Sequence, residues 1–129
     1  MDVSGAQDTE NRNIIMYPNK HNGDNQQWTV IYADEYPAEP VKGELNKDFG
    51  LYVQRDFFIV SQMSAHRYLE MIDNKNIVIK TPNAQKSQLW YFDQTSKTIK
   101  TRANNKSFDI ASSGKSNNMQ VWATNSRWW

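Results

Sequence analysis

Apolar residues along this chain come in short bursts of four to six positions, such as Phe57-Phe58-Ile59-Val60-Ser61 and Asn76-Ile77-Val78-Ile79-Lys80. Each burst is rich in β-branched or aromatic residues and ends in Asn, Gly, Ser or Lys, the composition of turns. No stretch keeps an apolar period of 3.6 residues for three turns, so helices are not expected. The pattern predicts an all-β chain of short strands.

The bursts repeat. An apolar–acid–apolar signal recurs as Met1-Asp2-Val3, Leu69-Glu70-Met71 and Phe108-Asp109-Ile110. An Asn opening an alternating strand follows each time, at Asn13, Asn76 and Asn118. Gln-x-Trp closes the first two copies, as Gln26-Gln27-Trp28 and Gln88-Leu89-Trp90. The step from opening Asn to Trp is 15 residues in copy one and 14 in copy two. The same step in copy three reaches about position 132, past residue 129. Opening strands precede copies two and three, at Phe57–Ser61 and Thr98–Thr101, whereas copy one starts at Met1-Asp2. Fixed-period self-similarity of this kind marks a repeat architecture. One domain is expected, with copy one at 1–56, copy two at 57–96 and an incomplete copy three at 97–129. The opening strand of copy one and the closing strand of copy three are expected to be lacking, which leaves the seam between them open.

Residues 34–56 break the repeat. They carry Pro37, Pro40, Gly43 and Gly50, and read as an inserted surface loop tethered at its far end by Phe49, Leu51, Tyr52 and Val53. Its acids, Asp34, Glu35, Glu39 and Glu44, read as a solvated face.

Length and composition narrow the function. A chain of 129 residues can bury one core without covalent staples. Fifteen basic against fourteen acidic residues give a formal charge of +1, which lacks the basic footprint of a nucleic-acid binder. The absence of cysteine rules out disulfides, thiolate metal sites and a cysteine nucleophile. No apolar run is long enough for a membrane-spanning helix, and the first residues lack a signal-peptide core. Five Trp, six Tyr and five Phe are many for so polar a chain, and suit a sheet surface that offers stacking platforms. Asn105-Lys106-Ser107 fits the N-glycosylation pattern.

A Trp recurring at one strand end per copy reads first as a core wedge, with its Gln satisfying backbone groups where copies meet. Trp28, Trp90, Gln26 and Gln88 are assigned that role. Taken together, the repeated Gln-x-Trp, the Leu-Asp-Val-like signal and the Asn-opened strand resemble the ricin B-chain lectins over nearly the whole chain. That resemblance implies a β-trefoil of three pseudo-repeats, shallow pockets for galactose-like sugars, and an extracellular or secretory setting. It implies glycans or glycoproteins as partners, or adjacent modules of the same polypeptide, or a neighbouring chain. It implies no cofactor.

A pyranose needs a carboxylate for vicinal hydroxyls, an amide for another, and an aromatic ring under its C–H face. Copy one offers Asp2, Tyr17, Asn25 and Gln26, with Ile15 where the family often has Gln. Copy two has Glu70 but Lys80 in place of the ring and Ser87 in place of the Asn, and reads as structural. Copy three offers Asp109, Gln120 and Trp122, with Asn117, Asn118 and Asn125 near the fourth position. The carbohydrate-binding candidates are therefore Asp2, Tyr17, Asn25, Gln26, Asp109, Gln120 and Trp122. The alternative is a structural or protein-interaction trefoil with degenerate sugar sites. An enzyme is not expected: His21 lies in a polar turn, His66 lies beside Arg67, and the repeated acids are held apart by the threefold pattern.

Overall fold

The computed structural model describes residues 1–16, 20–33, 45–110 and 118–123. Copy one supplies β1 (Asp2–Val3), β2 (Arg12–Ile15) and β3 (Trp28–Tyr32). The insertion adds β4 (Leu45–Asn46) and β5 (Leu51–Tyr52). Copy two supplies β6 (Phe57–Ser61), β7 (Tyr68–Ile72), β8 (Asn76–Lys80) and β9 (Trp90–Asp93). Copy three supplies β10 (Thr98–Thr101), β11 (Ser107–Ile110) and β12 (Met119–Trp122). Single turns of 3-10 helix occupy Ser4–Ala6, Asp24–Gln26 and Lys86–Gln88. The described residues contain no α-helix, and no helix among them is long and apolar enough to cross a membrane.

Three hairpins, β1·β2, β7·β8 and β11·β12, meet at one end of the molecule. There β8 pairs both β2, through Arg12↔Ile79 and Asn13↔Val78, and β12, through Gln120↔Asn76. Ile15 bridges Asn118 to close the third side. Because β8 lies between two other hairpins, Ile77, Val78 and Ile79 are all buried, and its sequence is apolar on both faces. The remaining strands run β3–β6–β9–β10 as an antiparallel wall. Three hairpins capping a barrel wall, in threefold order, make a β-trefoil.

Two indole hooks fix the equivalence of copies one and two. Trp28 Nε1 donates to the Met1 carbonyl at 3.4 Å, and Trp90 Nε1 donates to the Leu69 carbonyl at 3.1 Å. Trp90 is fully buried against Phe108, with ring centroids 4.8 Å apart. Trp28 is only half-buried at the margin of the same core. Phe57, Ile59, Leu69, Ile79, Phe92 and Val121 supply most of the rest.

The insertion is more ordered at its far end than a plain loop. β4 and β5 form a two-stranded hairpin, and Asn46 Oδ1 accepts the Asp48 and Phe49 amides, each at 3.0 Å. Gly50 sits at φ +69° in open space, so the turn needs glycine for its backbone and not for room. Phe49 packs on Phe92 at 5.2 Å, and Tyr52 meets Tyr32 edge-on at 5.5 Å. Residues 34–44, with the four acids, lie outside the described residues apart from their sequence.

Charged pairs stitch the copies together. Arg67 of copy two reaches Asp8 Oδ1 at 2.6 Å and Glu10 Oε1 at 2.9 Å in copy one. Burial pushes the Asp8 carboxyl up, but bonds from the Ala65 amide, Arg67 and Ser64 outweigh it and hold it below its ordinary range. The Thr81 hydroxyl leads in lowering Glu10, against a smaller opposing effect of burial and with help from Arg67. The Lys100 ammonium, 2.8 Å away, leads in lowering Asp93. A carboxyl lowered on folding stabilises the fold above its unfolded value, about 3.9–4.3, and loses that contribution as pH falls through the lower folded value. Unfolding free energy is therefore expected to drop below about pH 4. Urea midpoints at stepped pH check this, and Arg67→Met should flatten the slope. The pairs are near the surface and screened by solvent, so each contributes little at neutral pH.

Candidate functional site

Copy three brings its acid and its ring to one face. In the β11·β12 ladder Ser107 faces Trp122 and Asp109 faces Gln120, so Asp109 and Trp122 are diagonal neighbours on the same side. Such neighbours stand about 7–8 Å apart. Gln120 Nε2 donates to Asp109 Oδ2 at 2.8 Å, which fixes the carboxylate. Asp109 is half-exposed at the strand surface. Trp122 is 47% exposed, the largest exposure among the big apolar side chains described. The sequence did not flag Lys75, whose ammonium lies 5.2 Å from the Trp122 ring centre. It arrives from the β7–β8 turn, whose Lys75 carbonyl also accepts the Val121 amide at 2.7 Å. A cation over an indole is favourable by about 0.5–1 kcal/mol at an exposed site, so a ligand on that face must displace it. Asn118 is exposed at the start of β12, while Asn117 and Asn125 lie outside the described residues.

Copy one is wired differently from the expectation of an open pocket. Asp2 Oδ1 accepts Asn25 Nδ2 at 2.7 Å and Oδ2 accepts Gln26 Nε2 at 2.9 Å. Asp2 is 3% exposed and Asn25 7%. Acid and amide are thus spent on each other, tying the Asp24–Gln26 turn to β1, with little surface left for hydroxyls. The reason is local: the 3-10 turn points Asn25 and Gln26 inward together, where Asp2 accepts from both and the Val3 carbonyl accepts a longer bond from Asn25 at 3.4 Å. Tyr17, the candidate ring, lies outside the described residues.

His21, in the polar turn before β3, stands beside the acid while remaining exposed. Its Nε2 is 3.5 Å from Asp2 Oδ2, although its side chain is 43% exposed. The Gly23 amide donates to its Nδ1 at 3.1 Å, which makes Nδ1 the acceptor and leaves the proton of a neutral ring on Nε2, facing Asp2. A Cβ on Gly23 would lie 2.8 Å from both the imidazole and Asn25 Oδ1, so any larger residue there would push one of these side chains aside.

Copy two shows the same wiring with different residues. Asn83 Nδ2 donates to Glu70 Oε1 at 2.7 Å, and Lys80 Nζ stands 3.8 Å from Oε2. The Asn83 amide donates to Gln88 Oε1 at 3.0 Å, as the His21 amide donates to Gln26 Oε1 at 2.9 Å. His21 and Asn83 are therefore equivalent, each five residues before its Gln, and that shared spacing was the signal available in the sequence. Glu70 is buried and its ring position is a lysine, so copy two presents no stacking surface.

A shallow cleft of about 300 Å³ lies between copies one and two, lined by Ala6, Asp8, Asp24, Asn25, Met63 and Ser64. Among the described residues no group of three or more His, Asp or Glu is placed to hold a metal ion.

No family model matches the chain, and no curated protein matches it by sequence. Among solved structures it resembles ThreeFoil, a designed threefold-symmetric protein, with a TM-score of 0.71 at 18% identity. The match covers 98% of this chain and 83% of that one. At that identity the likeness is one of fold alone, and it agrees with the strand order above: the chain is a β-trefoil.

Proposed function

We propose that this chain is a carbohydrate-binding module, not an enzyme, and that it recognises galactose-like sugars weakly through copy three. The observation that carries the reading is a half-exposed tryptophan, Trp122, on the same strand face as a carboxylate already oriented by Gln120. The ring would stack under the C–H face of a pyranose while Asp109 accepts from its hydroxyls. Copy one would contribute less, because its Asp2, Asn25 and Gln26 are bonded to one another. One ring and one acid give low affinity, so useful binding would come from several sites or modules acting together.

The test is an NMR titration with galactose, lactose and N-acetylgalactosamine. The Trp122 indole should shift with dissociation constants of about 1 mM, and Trp122→Ala should abolish the response. Asp109→Ala should weaken binding about tenfold or more, since hydrogen bonds to a charged group contribute about 1.5–3 kcal/mol. No shift with any sugar sinks the reading.

A second reading is favoured by the acids of copies one and two, which are both buried and bonded internally. On that reading the trefoil is an interaction module of a larger assembly with degenerate sugar sites. A chain indifferent to sugar and isolated only in a complex would support it.

A further inference from the structure

Trp122 has opposite charges on its two flanks. On the β11 side stands Asp109, diagonal to the ring, its carboxylate held by Gln120 at 2.8 Å. On the β8 side stands Lys75, its ammonium 5.2 Å from the ring centre. Strand β12 lies between β11 and β8, so acid and cation reach the ring from opposite directions.

The root of the lysine is fixed and its tip is not. Asp73 and Asn74 both have positive φ, +53° and +56°, and the Lys75 amide donates to the Ile72 carbonyl at 3.0 Å, the geometry of a tight hairpin turn. The Lys75 carbonyl accepts the Val121 amide at 2.7 Å, and the Asn74 carbonyl accepts Asn104 Nδ2 at 3.4 Å. The turn is thereby clamped to copy three beside the ring, while Lys75 itself is exposed. Lys80 and Lys100 stand against the carboxylates of Glu70 and Asp93. Lys75 pairs with no carboxylate among the described residues, and its ammonium rests on the indole instead.

A neutral sugar that stacks on Trp122 pushes the ammonium off the ring and gives it nothing in return, a loss of about two- to fivefold in affinity. A sugar with an acid group on the β8 side gives the displaced ammonium a charged partner. Asp109 opposes an anion, but it stands across the ring from Lys75. The diagonal from acid to ring alone is about 7–8 Å, a separation at which salt screens much of the repulsion. We infer that the copy-three site is selective for acidic sugars, galactose-like rings that carry a carboxylate or a sulfate ester. Asp109 takes hydroxyls, Trp122 takes the C–H face, and Lys75 takes the acid group and sets the selectivity. The inference rests on the reading that copy three binds sugar, and adds the class of sugar.

The test compares galactose with galacturonic acid, galactose 3-sulfate and galactose 6-sulfate, following the Trp122 indole by NMR. At least one acidic sugar should bind about fivefold tighter than galactose. The better of carboxylate and sulfate identifies the acid that the site takes. Rising salt should shrink that advantage and leave galactose affinity constant. Lys75→Gln should remove the advantage, with galactose bound as before or about twofold tighter because the ring is uncovered. Since Lys75 is exposed, this variant should melt close to the parent. Lys86→Gln deletes the same charge from the exposed turn beyond the other end of β8, and should leave the advantage intact. Galactose binding with no acidic sugar preferred overturns this inference and leaves the sugar site standing. A preference that survives Lys75→Gln, or that Lys86→Gln removes equally, also overturns it. No response to any of the four sugars sinks both.

Discussion

Trp90→Ala is expected to cost about 3–5 kcal/mol, the range for emptying a large aromatic site in a packed core. Total stability for a domain of this kind is about 5–15 kcal/mol, so the variant should be close to unfolding at 25 °C. The size of the effect follows from where the ring sits. Trp90 is 0% exposed, lies on Phe108, and is flanked by β6 and β10. Its loss also removes the donor to the buried Leu69 carbonyl. Trp28→Ala removes the chemically matching residue of copy one, but from a half-buried site with a longer 3.4 Å hook. It should cost about half as much. Urea unfolding followed by far-ultraviolet circular dichroism compares the two. Equal losses would mean that the β3 ring is as enclosed as the β9 ring.

Gln88→Ala is expected to be the next most damaging change described here. The side chain is 0% exposed and makes two bonds that nothing else nearby replaces: it accepts from the Asn83 amide and donates to the Thr81 carbonyl, both at 3.0 Å. Truncation leaves both backbone groups without a partner, at about 1–3 kcal/mol for each group that water cannot reach. Gln88→Glu should fare no better, because a buried carboxylate oxygen would face the Thr81 carbonyl. Thermal unfolding gives the loss, and faster exchange of the Asn83 amide proton localises it. Gln26→Ala, at the half-buried equivalent in copy one, should be milder, since the Asp2 carboxylate keeps its bond from Asn25 and the freed His21 amide is exposed. A Gln88→Ala chain as stable as the parent would end the assignment of this glutamine as the clasp between the 3-10 turn and β8.

These two residues were legible in the sequence because their signal is local: Gln-x-Trp recurs in register with two other repeated signals, and each copy folds on its own short strands. The tether at Phe49 and Tyr52 was legible for the same reason, as an apolar cluster after a polar, proline-bearing stretch. What the hairpin β4·β5 adds, the Asn46 turn and Gly50 backbone, was not read, because a two-residue strand has no periodicity to detect. The pocket residues fared differently. Asp2, Asn25 and Gln26 were recognised as a group, and the structure does bring them together, but facing inward upon one another. Asp109 and Gln120 bond to each other on the strand face that also carries Trp122, with Lys75 added from a turn 47 positions before the ring.

The residues alone determined the strands, their threefold repetition and the two core tryptophans, because alternation, turn chemistry and spacing are properties of neighbours along the chain. Only the tertiary structure decided which repeated position is closed and which is open. Whether a carboxylate faces an amide or solvent, and whether a ring meets a lysine, depend on strands brought together from different copies. The same local sequence unit thus ends as a sealed wedge at Trp90 and a half-buried one at Trp28, because the residues that pack on it from other copies differ.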